Sequence, residues 1–221
     1  MHVTGIVTSV DYGQFLGRGL AAWAAGLDDL VVVTSPGDLE TQRLCRHYSV
    51  RCLVTGAFAA DGALFNKAKA IDEALLGVSS GGWVLLFDAD MVPPADWRKQ
   101  VERSHVRMGC LYGANRYLED GRELIGELAG FFHLWHLLDH RVTDRPLLGS
   151  WHNASGYDSQ FVQRWPADKQ VVLDLRLLHL GAPGRNWCGV GRDQDMANLH
   201  ARRQAGASYL TERLDRKQVQ A

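Results

Sequence analysis

Two aspartates separated by a single residue, in Asp88-Ala89-Asp90, carry the most specific chemistry in the sequence. They follow Trp83–Phe87, apolar at every position, which reads as a strand buried on both faces. Both carboxylates therefore leave a sheet at its carboxyl end, where open α/β sheets bind their ligands. Residues two apart in an extended segment point the same way, and two carboxylates held that close repel and raise a pKa. A hard divalent cation resolves the repulsion, and a pyrophosphate completes the cation's oxygen shell. The plainer alternative is that both acids solvate a strand end and cap a helix beginning near Pro93-Pro94. Met91-Val92-Pro93-Pro94, which turns the backbone sharply away, favours the ligand reading.

The elements that must position these acids follow from periodicity. Val3–Val10 reads as a first strand. Phe15, Leu16, Leu20, Trp23, Ala24 and Leu27 recur at helical spacing up to Gly26. Leu30–Thr34 is a second strand. Ser35-Pro36-Gly37-Asp38 offers a cap, a first-turn proline and an acidic third position for a helix carrying Leu39, Leu44 and Tyr48. Val50–Thr55 makes a third strand, and Phe65–Leu76 a helix ended by Gly77. Strands alternating with helices predict a mostly parallel, Rossmann-like central sheet flanked by helices. The second half is mixed. Asp120-Gly121 between Arg116–Glu119 and Arg122–Ile125 is a strong hairpin signal. Gly130–Trp135 reads as a strand, Ser155–Trp165 as a helix stopped by Pro166, and Val171–Leu178 as a strand delivering His179. From Arg192 onward the pattern suits a loop and a polar helix.

Composition narrows the function classes. The 221 residues are 46% hydrophobic, enough for one substantial core and short for two domains. A net charge of -1 gives no global field for nucleic acid or a membrane surface, and the basic residues between Arg202 and Lys217, interrupted by Glu212 and Asp215, suit a solvated helix face. No secretory pattern or membrane-length apolar run is visible. Cys45, Cys52, Cys110 and Cys188 show no zinc-ligand spacing, so a cytoplasmic protein with reduced thiols is expected, in which the Asn153 sequon has no consequence. His133, His136 and His140, at near-helical spacing among aromatic residues, read as a patch of partly buried imidazoles more readily than as a metal site. Gly13, Gly17 and Gly19 match neither a dinucleotide nor a phosphate-loop pattern.

Trp83-Val84-Leu85-Leu86-Phe87-Asp88-Ala89-Asp90-Met91-Val92-Pro93-Pro94 resembles the metal-binding segment of GT-A glycosyltransferases, in particular the broad inverting family of nucleotide-sugar transferases. Phe65-Asn66-Lys67-Ala68-Lys69 resembles the helix before that segment, and Val31-Val32-Val33-Thr34-Ser35 the second strand, with Thr34 and Ser35 in place of the family's usual acids. The resemblance spans residues 3 to 95. It implies an α/β GT-A fold with a mixed C-terminal half, in one domain over 1–221. Residues 1–95 would hold a nucleotide sugar, UDP-hexose by expectation, and 96–221 an acceptor.

The resemblance further implies Mn2+ or Mg2+ on Asp88 and Asp90, with His179 completing the shell, and donor contacts from Thr8, Ser9, Thr34, Lys67, Ala89 and Arg185. A solvated helix lysine is the plainer reading of Lys67. Asp158 resembles the acid that starts a helix on the acceptor side of inverting members and could take the acceptor's proton. It is also the fourth residue of Ser155-x-x-Asp158, a capping box. Where the family more often has two adjacent acids, this chain has Tyr157 beside one. The hydroxyl acceptor is left open among small molecules, polysaccharide precursors, proteins and modified bases in nucleic acid. Two rivals stand beside this reading. A sugar nucleotidyltransferase shares the sheet and acidic pair, but has a glycine-rich basic loop where this chain has Ser9-Val10-Asp11-Tyr12-Gly13. A noncatalytic protein that binds nucleotide sugars would keep the fold without turnover.

Overall fold

The computed structural model describes residues 1–181 except 80, 125–127, 129 and 155. One nine-stranded sheet organises them. Its first part is β1 (Val3–Thr8), β2 (Asp29–Thr34), β3 (Arg51–Val54) and β4 (Trp83–Asp88), paired parallel in the order β3-β2-β1-β4. Beyond β4 the sheet turns mixed. β8 (Phe132–His136) pairs antiparallel with β4, β6 (Leu111–Leu118) pairs antiparallel with β8, and β9 (Gln170–His179) runs parallel to β6. The two-residue β5 (Met91–Val92) closes the path antiparallel to β9, and β7 (Glu123–Leu124) forms the predicted hairpin with β6. At the hairpin tip Gly121 adopts φ 84° and donates its N–H to Leu118 O at 2.9 Å.

Side-chain alternation divides the core into two layers. On β4, Trp83, Leu85 and Phe87 face α1 (Gly13–Gly26), α2 (Leu39–Tyr48) and α4 (Trp97–Arg103), while Val84 and Leu86 face α3 (Lys67–Leu75) and α5 (Tyr157–Val162). Each such side chain taken from water contributes about 1.5–3 kcal/mol. The helices thus cover both sheet faces, as a parallel apolar sheet requires.

Several local expectations change. Asp38, not Ser35, caps α2, accepting from Thr41 N at 2.9 Å; its carboxylate stands directly before the first helical residue, while Ser35 O is used by the preceding turn. Asn66 caps α3 and shortens it to begin at Lys67. α5 is confined to six residues behind Gly156, which makes no side-chain cap bond. His133 and His136 lie on a strand, so their spacing puts them on opposite faces. His133 is buried and His136 packs edge-on against Trp83. Arg185, Ser155, Cys188, the glycine-rich turn after Gly181 and the basic C-terminal segment lie outside the described residues. No helix among the described residues is long and apolar enough to cross a membrane.

Candidate active site

The acidic pair is clamped from three directions. Asp88 is the last residue of β4 and pairs with Thr8 of β1. Ala89 and Asp90 form a turn before β5, so the two acids do not share one extended segment. Behind that turn, Trp23 of α1 stacks on Phe87 with centroids 4.2 Å apart and donates its indole N–H to Met91 O at 2.9 Å. Gly19 allows this approach, since a Cβ there would stand 2.7 Å from Met91 O. On the other side β9 sets His179 opposite Met91, and Leu180 N donates to Asp90 O at 2.9 Å. Glu119, at the hairpin, accepts from Gly181 N at 2.9 Å while paired with Arg18 of α1.

The turn gives each acid a separate cationic or imidazole neighbour. The Lys67 ammonium, carried by the first residue of α3, reaches Asp88 Oδ1 at 2.5 Å. His179 Nε2 lies 3.3 Å from Asp90 Oδ2, both side chains being about nine-tenths buried. Burial pushes the Asp88 carboxyl up; Lys67 pulls it down, Asp90's charge pushes it up again, and the net direction is upward. Burial also works against the Lys67 ammonium, but the Asp88 carboxylate, with the Tyr157 hydroxyl beside it, outweighs burial and holds this lysine above its ordinary range. Tyr157 packs beside the ammonium, 5.7 Å from Nζ to ring centroid. Burial pushes its hydroxyl up to about 12, so it stays protonated at neutral pH.

Arg116 of β6 joins the group without any prior sign in the sequence. Its guanidinium stacks over Phe131 at 4.7 Å and approaches His179 Nδ1 at 3.5 Å. Arginine only donates, so this contact makes Nδ1 the acceptor and leaves the ring proton on Nε2, facing Asp90. A metal held on Nε2 would require the ring proton on Nδ1, the nitrogen that faces Arg116.

The donor set otherwise suits a dication. Two ligands bound at about 2.1 Å and at right angles lie about 3 Å apart, close to the separation of Asp90 Oδ2 and His179 Nε2. Asp88 lies close enough to feel the charge of Asp90. Among the described residues, however, no three acidic, histidine or cysteine side chains are arranged as a complete ligand cluster, because Asp88 is turned to Lys67. The fit is therefore of a two-residue edge with a third carboxylate beside it.

The remaining predicted residues divide. Thr8 lines the strand end next to Asp88, and Ala89 is buried in the turn. Ser9 and Thr34 point instead into the start of α2: Ser9 Oγ meets Thr41 Oγ1 at 3.0 Å, and Thr34 Oγ1 donates to Asp38 Oδ2 at 3.1 Å. Asp38 supplies an acid at this strand end after all, four residues beyond Thr34, and also accepts from Asp11 N. Asp158 is half-buried at the start of α5, taking Gly130 N at 3.2 Å on Oδ2 and Ser159 N at 2.9 Å on Oδ1. Through Tyr157, the adjacent residue, it connects to the Lys67–Asp88 pair.

A central strand ending in an acidic turn, with parallel strands on one side and a mixed sheet on the other, is the arrangement of the GT-A fold. The structure is similar to that of glucosyl-3-phosphoglycerate synthase from Mycobacterium tuberculosis in complex with Mn2+, UDP-glucose and phosphoglyceric acid. The TM-score is 0.63 at 13% identity, covering 93% of this chain and 80% of that one. It is also similar to TarS 1–349 from S. aureus, with TM-score 0.62 and 14% identity over 81% of this chain, which spans 60% of that one. No family model and no curated protein sequence matches the chain.

Proposed function

We propose that this protein is a metal-dependent glycosyltransferase that moves a hexose from a UDP-hexose to a hydroxyl acceptor. The observation that carries the reading is the gathering of Lys67, Asp88, Asp90 and His179 at the carboxyl end of β4 in a GT-A fold. The similar mycobacterial enzyme, described with Mn2+ and UDP-glucose, supports the choice of metal and donor.

Asp90 and His179 would hold Mn2+ or Mg2+, with Asp88 beside them. Once bound, the ion supplies Lewis-acid neutralisation of the charge developing on the leaving diphosphate. The chain's own groups do the rest. Lys67 holds Asp88 in place and turns a positive charge toward the phosphates. Thr8 and Ala89 line the strand end, Ser9 and Thr34 shape its wall through the α2 cap, and Arg185 adds a phosphate or sugar contact. Asp158 accepts the proton of the attacking hydroxyl, and attack from the face opposite the diphosphate inverts the anomeric carbon. Residues 1–95 serve the donor and 96–221 the acceptor, with His179 and Arg185 reaching from the second part to the donor.

Substituting Asp88→Ala or Asp90→Ala tests the reading. Mn2+-dependent release of UDP from UDP-glucose should fall at least about 100-fold, with the melting temperature within a few degrees of wild type. Unchanged UDP release in both variants discards the assignment.

A further inference from the structure

Gly130 sits between the two acidic centres, and handedness does not explain why it is glycine: it is not among the positive-φ glycines. Space does explain it. A Cβ at Gly130 would stand 2.7 Å from Asp158 Oδ2 and 2.9 Å from Asp158 Cβ, inside the distances real carbon atoms keep. The same residue's N–H is the donor to Oδ2. Its neighbour faces the other centre, since Phe131 O accepts the backbone N–H of Asp88 at 3.3 Å. Immediately beyond, Phe132 pairs with Phe87 in the β4–β8 ladder.

We propose that Gly130 is a positioning residue for Asp158: its bare Cα is the seat of the carboxylate, its N–H orients Oδ2, and the adjoining Phe131 carbonyl ties that seat to Asp88. One dipeptide thus sets the separation between the acid at the leaving group and the acid at the incoming hydroxyl. The proposal deepens the glycosyltransferase reading and rests on Asp158 acting as the base. A displacement near 1 Å costs such a reaction about 100-fold, and bringing the 2.7 and 2.9 Å contacts out to ordinary van der Waals distance requires Asp158 or its seat to move by more than about half an ångström.

The test combines turnover with a stability cycle on the full chain. In Gly130→Ala, kcat for UDP release from UDP-glucose with Mn2+ should fall about 100-fold, while the thermal shift given by UDP and Mn2+ stays at the wild-type value. Asp158→Asn should abolish turnover, and Gly130→Ala added to it should cost nothing more. Gly130→Ala turnover within twofold of wild type beside an inactive Asp158→Asn overturns the positioning role, whereas an active Asp158→Asn overturns the base assignment. The melting temperature decides the seat independently of turnover. The loss caused by Gly130→Ala in wild type should disappear in an Asp158→Gly background, where the opposing Cβ and carboxylate are gone. An equal loss in both backgrounds, or failure of both to fold, places the obstruction elsewhere and overturns the proposal.

Discussion

Buried polarity is handled in opposite ways on α3 and on β8, though both pack into the same core layer. On α3, Asp72 accepts the N–H groups of Leu147, Leu148 and Gly149 at 2.8–3.0 Å and so moors a distant loop. Asn66 at the start of that helix accepts from Lys69 and Trp151 and donates to Ser150. On β8, among the described residues, the buried Trp135 indole nitrogen has no hydrogen-bond partner, and the buried His133 ring has only the Leu128 backbone near it. The first arrangement fixes the wall that carries Lys67. The second leaves polar cost beneath the wall that carries Asp158, which interacts with His133 through its charge. A buried polar atom without a partner costs about 1–3 kcal/mol, so one face of the site is held by satisfied bonds and the other by packing.

Three measurements test that contrast. The largest effect belongs to Asp72→Ala, which strips the acceptor from three backbone N–H groups and should cost about 3 kcal/mol or more in denaturant unfolding. A loss below about 1 kcal/mol removes the contrast from the α3 side.

The next concerns pH. Burial holds the His133 imidazole down to about 4, against Asp158, which pulls it upward. The unfolded chain binds this proton near pH 6.5 and the folded chain only near 4. Stability from this group is therefore complete above about pH 6.5 and declines by about 3 kcal/mol as the pH falls to 4. His133→Leu should flatten that part of the stability–pH curve, read by urea unfolding at several pH values, without lowering stability at pH 7. A curve as steep as wild type in His133→Leu assigns the acid loss to other groups.

The smallest effect is expected from Trp135→Phe. It deletes the unpartnered N–H and keeps an aromatic ring near Phe161, now 4.9 Å away edge-on, so the cost should stay under about 1.5 kcal/mol in thermal unfolding. A larger loss means that the indole volume outweighs its orphan nitrogen.

What the sequence makes legible follows from where the determining forces are local. β4 is readable because five successive apolar residues can only be buried, and the hairpin because Asp120-Gly121 suits its turn. His179 is readable as a strand end, since alternation along β9 continues to it. Other features depend on partners far away in the chain. β5 is two residues long and exists through pairing with β9, and Arg116 reaches the site only because β6 and β9 lie side by side. The turn at Ala89–Asp90, which separates the acids between Lys67 and His179, is held by Trp23 and Leu180 rather than by its own residues. The aromatic setting of His133 and His136 is readable as buried imidazoles, while the strand period that sends them to opposite faces is set by pairing with β4. Ser35 misleads because a later acid, Asp38, competes for the same cap.

The irregularity in the β6–β9 ladder acts as a ruler. Between Ala114 and Asn115 the partner on β9 advances from Leu173 to Arg176, so β9 carries two residues beyond simple register. An even excess preserves which way every later side chain faces, and Leu173, Leu175, Leu177 and His179 all stay buried across it. Removing both residues would leave Arg176 opposite Asn115 and His179 opposite Leu118 in an unbroken ladder, whereas removing one would turn His179 and every later side chain to the opposite side of the sheet. Length changes in β9 should therefore be tolerated in pairs at this irregularity and not singly.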